Sequence, residues 1–228
     1  MAGQWARWMV LALGLALLPG AAPKTDWTRH VTVSATGAYV VGNPNAKVKL
    51  VEYASYTCPH CAHYANDSKV PIRRDFIADG STSVELRHAI RDRLDFIATL
   101  LARCGGPARF FATSDAIFAA QQDWMDKAIG FERANAERLS KMPRDDAVRE
   151  EARATGLFAI AEAQGVPAKK LDICLADTAQ QKLIGAMADR AWNEEHIPGT
   201  PSFTINGAQV PNAASWATLE PALRAATK

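Results

Sequence analysis

Two cysteines separated by two residues, Cys58-Pro59-His60-Cys61, carry the strongest chemical signal in this chain of 228 residues. One helical turn brings two such sulfurs within bonding distance, and their place before a helix suits reversible disulfide chemistry. Pro59 fits the first helical position, where no N–H is needed and φ is already set. Cys58 then occupies the helix N-terminus, where free N–H groups and the dipole favour a thiolate, the reactive form of cysteine. His60 adds a donor or partial positive charge beside it. A C-x-x-C pair is also half of a zinc site, which needs four nitrogen or sulfur ligands. His60 and His63 lie close by, so a metal-delivery role for Cys58, Cys61 and His63 stands as an alternative.

The elements that must position this pair follow from periodicity. Val48 to Ser55 reads as a strand placing Val48, Leu50, Glu52 and Ala54 on one face. Glu52, six residues before Cys58, thus sits among apolar neighbours, which suits a buried carboxyl with raised pKa; an end-of-strand carboxylate reaching water is the alternative. A helix is predicted from Pro59 to about Asp67, a second helical segment from Ile72 to Ala78, and a strand from Ser83 to Ile90. Trp27 to Ser34 is a further short strand, and Gly42-Asn43-Pro44-Asn45 a turn. His88 falls on an apolar strand face and reads as a hydrogen-bonded core histidine rather than a base.

From 91 to 180 no strand signal occurs. Leu94 to Leu101, Phe110 to Phe118, Val148 to Gln164 and Leu171 to Leu175 have helical spacing. The charge run Arg144-Asp145-Asp146 and Arg149-Glu150-Glu151 reads as a solvated helix face. A helix from about Thr178 to Glu195 leads back to a strand, Ser202 to Ile205. Asn206-Gly207 is a hairpin signal, with 208–210 returning. Trp216, Leu219 and Leu223 share a face of a final helix. The order implies an α/β fold around a small mixed sheet, with an all-helical insertion.

This arrangement resembles the DsbA family of exported thiol–disulfide oxidoreductases. The resemblance rests on the strand leading into Cys58-Pro59-His60-Cys61, the helical insertion, and Gly199-Thr200-Pro201-Ser202-Phe203 before a strand and hairpin. It implies a thioredoxin-like fold split into 23–90 and 181–228 around an inserted domain at 91–180. It further implies that Cys58 is the exposed attacking sulfur and Cys61 the buried partner. Glu52 matches the family's buried acid, which would accept the Cys61 proton when a mixed disulfide resolves. Pro201 matches the family's cis-proline, and Thr200 the residue whose backbone pairs with substrate. No metal or organic cofactor is implied. The implied partners are reduced or partly unfolded exported proteins, and a quinone-linked membrane thiol oxidase of the DsbB type as reoxidant.

Residues 1–22 read as a secretory signal: Arg7, an apolar run from Met9 to Leu18, then Pro19-Gly20-Ala21-Ala22. A periplasmic location is therefore expected, with an uncleaved anchor as the alternative. In an oxidising compartment Cys104 and Cys174 favour a structural disulfide over two buried thiols. A net charge of +2 gives no case for nucleic-acid binding. Hydrophobic residues make up 48%, enough for a proper core. The stretch from 23 to 46 is too short for an N-terminal dimerisation domain, so a monomeric oxidase is expected ahead of an isomerase or reductase of the same fold. A binding chaperone whose C-x-x-C is incidental is a further alternative.

Overall fold

The computed structural model describes residues 25–228. The secretory signal expected at 1–22 lies outside the described residues. Six strands form one sheet: β1 (Val31–Val33), β2 (Tyr39–Gly42), β3 (Val48–Ala54), β4 (Thr82–His88), β5 (Ser202–Ile205) and β6 (Ala208–Gln209). Their order is β1-β2-β4-β3-β5-β6. The β3–β4 pair is parallel and every other pair antiparallel.

A parallel pair needs a crossover connection. It is supplied by α1 (Pro59–Ile72) and a π-helical turn, Arg73–Ile77. The sequence pattern splits this stretch in two, but the helix runs on through Pro71. Pro71 costs the hydrogen bond an N–H there would give, and the widened turn beyond it absorbs the misfit. β2 has no counterpart in the periodicity reading. It is a four-residue, almost wholly buried run without alternation, and such runs carry no period. The expected first strand shrinks to β1, because Trp27–Arg29 form a 3-10 turn capped by Asp26.

Between β4 and β5 lie α2 (Arg93–Cys104), α3 (Pro107–Ala119), α4 (Gln121–Ser140), α5 (Arg144–Ala154), α6 (Leu157–Ala163), α7 (Ala168–Leu175) and α8 (Thr178–Asp189). A π-helical turn, Arg190–Glu194, extends α8. The helix expected over 148–164 is broken at Gly156, whose φ of +84° ends α5 and starts α6. α4 escapes the periodicity reading because its sequence is mostly polar and only Gln121, Trp124, Ala128 and Leu139 are buried. The charge run at 144–151 is not wholly solvated. Glu151 is fully buried beside Arg93, at 2.9 Å.

The hairpin at Asn206-Gly207 takes positive φ at both residues, 52° and 85°, as a tight two-residue turn demands. The last helix, α9 (Trp216–Thr227), starts at a capping box between Ser215 and Thr218 and buries Trp216, Leu219 and Leu223. With Phe76, Tyr64 and Phe203 these fill a core on one side of the sheet. The larger core is shared between the sheet and the insertion. It joins Tyr39, Leu86, Tyr56 and Cys61 to Ile97, Leu101, Phe110, Ile117 and Trp124. At roughly 1.5–3 kcal/mol per large apolar side chain buried, the insertion is anchored onto the sheet rather than tethered to it. Cys104 and Cys174 are joined, with S–S 1.99 Å and Cα atoms 5.7 Å apart, linking the end of α2 to α7.

Candidate active site: a dithiol at a strand-to-helix junction

β3 delivers the chain to Ser55-Tyr56-Thr57, and Cys58 caps α1 with extended φ, ψ of −90°, 117°. Pro59 is the first helical residue. The amides of Cys61 and Ala62 both point back at the Cys58 carbonyl, at 3.1 and 3.2 Å. Pro59 and His60 are exposed on either side of a turn that hides both sulfurs' residues. Cys61 is 0% exposed and Cys58 only 3%. The expectation of an exposed Cys58 is therefore corrected: the loop carrying Thr200 and Pro201 packs over it. The Thr200–Pro201 peptide is cis, and the Cys58 thiol donates to the Thr200 carbonyl at 3.0 Å.

On ionisation Cys58 meets several donors. A hydrogen bond from the Cys61 thiol is the largest influence. The Thr200 side chain and the backbone N–H groups of Cys61 and His60 add to it, against burial, and the Cys58 pKa falls to about 5. His60 thus acts here through its amide, and its ring stands in solvent. Cys61 moves the other way: burial first, then the Cys58 sulfur, push its pKa far up. One sulfur is poised as a thiolate and its neighbour as a thiol.

Glu52 lies on β3 with Leu86 and Phe203 as its cross-strand neighbours. It is 6% exposed, and among the described residues its Oε1 has no hydrogen-bond partner. Burial, reinforced by the negative charge of Asp115, raises its pKa to about 8. The Glu52 charge in turn contributes to the upward shift of Cys61. His88 is buried at the end of β4, but among the described residues its Nε2 has no hydrogen-bond partner, contrary to the sequence expectation. Burial, then Arg103, hold its pKa well below the usual value, so it packs as a neutral ring between Tyr56 and Phe110. Among the described residues no three His, Cys, Asp or Glu side chains gather as a metal-binding group.

Three residues of the insertion grip the loop, and none was legible in the sequence as part of a site. Asp95 accepts from the Tyr56 amide at 2.8 Å. Asp92 caps α2 through Oδ1 and takes the Thr57 hydroxyl on Oδ2 at 2.6 Å. Gln121, first residue of α4, donates to the carbonyls of Tyr56 and Cys58 at 2.7 and 2.9 Å. The acidic pair could have suggested a helix start at Asp92. Nothing in the sequence links Gln121 to a loop more than 60 positions upstream. Gln121→Ala takes the side-chain donor from the buried Tyr56 carbonyl, and leaves the Cys58 carbonyl only the Cys61 and Ala62 amides. It should cost roughly 2 kcal/mol, read as a lower urea midpoint at unchanged m-value, and raise the pH midpoint of Cys58 alkylation.

A groove borders the cis-proline loop, lined in part by Tyr53, Ile197, Pro198, Pro201, Val210 and Pro211. It presents apolar surface beside Thr200, within reach of a chain bonded to Cys58.

Residues 34–225 match the thioredoxin family model. A provisionally named protein-disulfide oxidoreductase of Rickettsia felis is 30% identical over 76% of this chain and 54% of its own. A Rickettsia bellii protein of the same provisional name is 29% identical over 76% and 58%. The chain thus spans little more than half the length of these relatives. The crystal structure of a protein-disulfide isomerase from Novosphingobium aromaticivorans superposes with TM-score 0.76 at 32% identity, over 83% of this chain and 96% of that one. Wolbachia pipientis alpha-DsbA1, at 20% identity, shares the fold with TM-score 0.66 over 86% and 93%.

Proposed function

Because this chain belongs to the thioredoxin family, and carries the helical insertion of DsbA-type folds, we propose that it is an exported dithiol oxidase. It would donate a Cys58–Cys61 disulfide to reduced, partly unfolded secreted proteins. The observation that carries this reading is the opposite tuning of the two thiols, Cys58 down to about 5 and Cys61 far up. A stabilised thiolate favours the reduced form, so the oxidised form is a strong disulfide donor.

In the donating half-reaction a client thiolate attacks Cys58 Sγ. The Cys58–Cys61 bond breaks, and Cys61 leaves and takes up a proton. A second client thiolate then attacks the client sulfur of the mixed disulfide and expels Cys58 as its stabilised thiolate. In the recharging half-reaction the Cys58 thiolate attacks the disulfide of the reoxidant, for which a quinone-linked membrane thiol oxidase is the proposed partner. Cys61 then gives its proton to Glu52 and attacks Cys58 Sγ. Glu52 acts as base and acid in turn, the role suited to a buried carboxyl titrating near neutrality. The client segment would lie along Thr200 and the groove beside Pro201. No metal or organic cofactor takes part.

Isomerase activity is the second reading, favoured by the name of the Novosphingobium protein. An isomerase needs a free Cys58 thiolate at rest to attack wrong disulfides. Paired refolding of reduced and scrambled ribonuclease, after sedimentation to fix the mass, separates the two. The oxidase reading expects a monomer that speeds refolding of the reduced client and scarcely affects the scrambled one. A dimer that unscrambles faster than it oxidises would establish the isomerase instead.

A further inference from the structure

Glu52 poses a problem for any role as proton acceptor. With a pKa near 8, it is mostly protonated at neutral pH, and a loaded acid accepts nothing. It must pass its proton on, yet its strand neighbours are Leu86 and Phe203, and among the described residues Oε1 meets no donor or acceptor.

A cavity of about 50 Å³ lies between β3, α1 and α3, and Glu52 is part of its lining. That is room for a water or two. Ala65, Ser68 and Ser114 line it as well. Beyond it a surface groove of about 600 Å³ runs past Thr28, Arg29 and Pro107. Cavity and groove have four lining residues in common, Lys69, Arg73, Phe111 and Asp115. Asp115 is the acid among them. Its side chain is 20% exposed, and both cations sit on its Oδ2, Arg73 at 3.3 Å and Lys69 at 3.6 Å.

We propose that this cavity is the proton exit of the active site, with Asp115 of the helical insertion as the relay between Glu52 and solvent. The inference rests on the reading of Glu52 as the Cys61 base. When Cys61 attacks a mixed disulfide, one S–S bond forms at Cys58 and one breaks. The leaving thiol departs as thiolate, and the Cys61 proton goes to Glu52. That proton crosses cavity water to Asp115 and is shed into the groove. The sulfur chemistry balances without it, and only the proton needs the path.

The charged groups around Asp115 suit the task. Burial raises its pKa, while Arg73 and Lys69 oppose the rise. Its own negative charge lifts Glu52, and Tyr64, also lining the cavity, is held neutral by burial and by Glu52. The insertion would then supply part of the proton chemistry as well as the scaffold of the loop.

Stopped-flow mixing of the reduced protein with the aromatic disulfide DTNB tests this. The first thionitrobenzoate reports attack by Cys58, the second reports resolution by Cys61. In Asp115→Asn the second phase, taken as a ratio to the first, should slow about tenfold at pH 7, the scale of a weakened proton-transfer route, with a larger solvent deuterium effect. Asp115→Glu should restore it. Ala65→Val fills the cavity without changing charge, and should slow the same phase even if Asp115→Asn fails to fold. A second phase as fast as wild type in Ala65→Val overturns the proposal, because Asp115 would then act by its charge alone. Glu52→Gln separates the two levels. If it leaves the second phase unaltered, the Glu52 reading fails. If it slows that phase while Asp115→Asn and Ala65→Val do not, only the exit fails.

Discussion

In reduced protein, alkylation of Cys58 should rise with a midpoint near pH 5, and Cys61 should stay unmodified up to pH 8. The cause is local. Cys58 has donors from the Cys61 thiol, from Thr200 and from two backbone amides, which bring it from an ordinary 9.0 to about 5. At pH 6 its thiolate population would be on the order of 10³ that of an unperturbed thiol. A low-pKa thiolate is also a weaker nucleophile, with a Brønsted slope of about 0.4–0.5. The net gain in rate is therefore only about tenfold or somewhat more, and the midpoint is the sharper readout. Brief iodoacetamide pulses from pH 4 to 9, followed by peptide mapping, measure it. Equal labelling of Cys61, or a midpoint above pH 8, would remove the assignment of roles.

The same tuning fixes the redox behaviour. The folded pKa is depressed, so the stabilisation of the reduced form is complete above pH 9 and disappears as pH falls through 5. At pH 7 about half of the four-unit shift is expressed, or about 60 mV towards a more oxidising couple. With Cys58 ionised and Cys61 protonated, reduction takes up one proton per two electrons. Between pH 6 and 7 the potential should change by about 30 mV per unit. Equilibration with glutathione at both pH values checks this. A slope near 60 mV per unit would mean that Cys58 is protonated in that range.

Replacing both Cys104 and Cys174 by serine should cost about 4 kcal/mol, from the loop-closure entropy of the 70-residue separation they span. For a chain of this size that is a fall in Tm of roughly 10 °C. The link ties α7 to the end of α2, the helix whose first turn holds Asp92 and Asp95 against the active-site loop. Loss of the link should therefore also broaden the alkylation profile of Cys58. Graded reduction with intact-mass counting of thiols gives the complementary result. Cys58 and Cys61 should open well before Cys104 and Cys174, because a structural disulfide resists reduction more than a catalytic one. A Tm within about 2 °C of wild type in the double variant would show that the helical block holds itself together by packing alone.

Cys58 and Cys61, the helix start at Pro59, the hairpin at Asn206-Gly207 and the α/β order around a helical insertion are legible along the chain alone. These are local: a cap, a turn and a period need only neighbouring residues. Glu52 is legible on an apolar face for the same reason, because alternation along one strand is local too. What surrounds these groups depends on how distant elements pack. β2 and α4 lacked a period, since one is almost wholly buried and the other mostly exposed. The cover over Cys58, the grip of Asp92, Asp95 and Gln121 on its loop, and the cavity joining Glu52 to Asp115 all bring together groups far apart in the chain. No pattern along the chain encodes such pairs. Hydrogen bonding and desolvation at a buried site depend on which surfaces meet, and that is settled when the insertion packs onto the sheet.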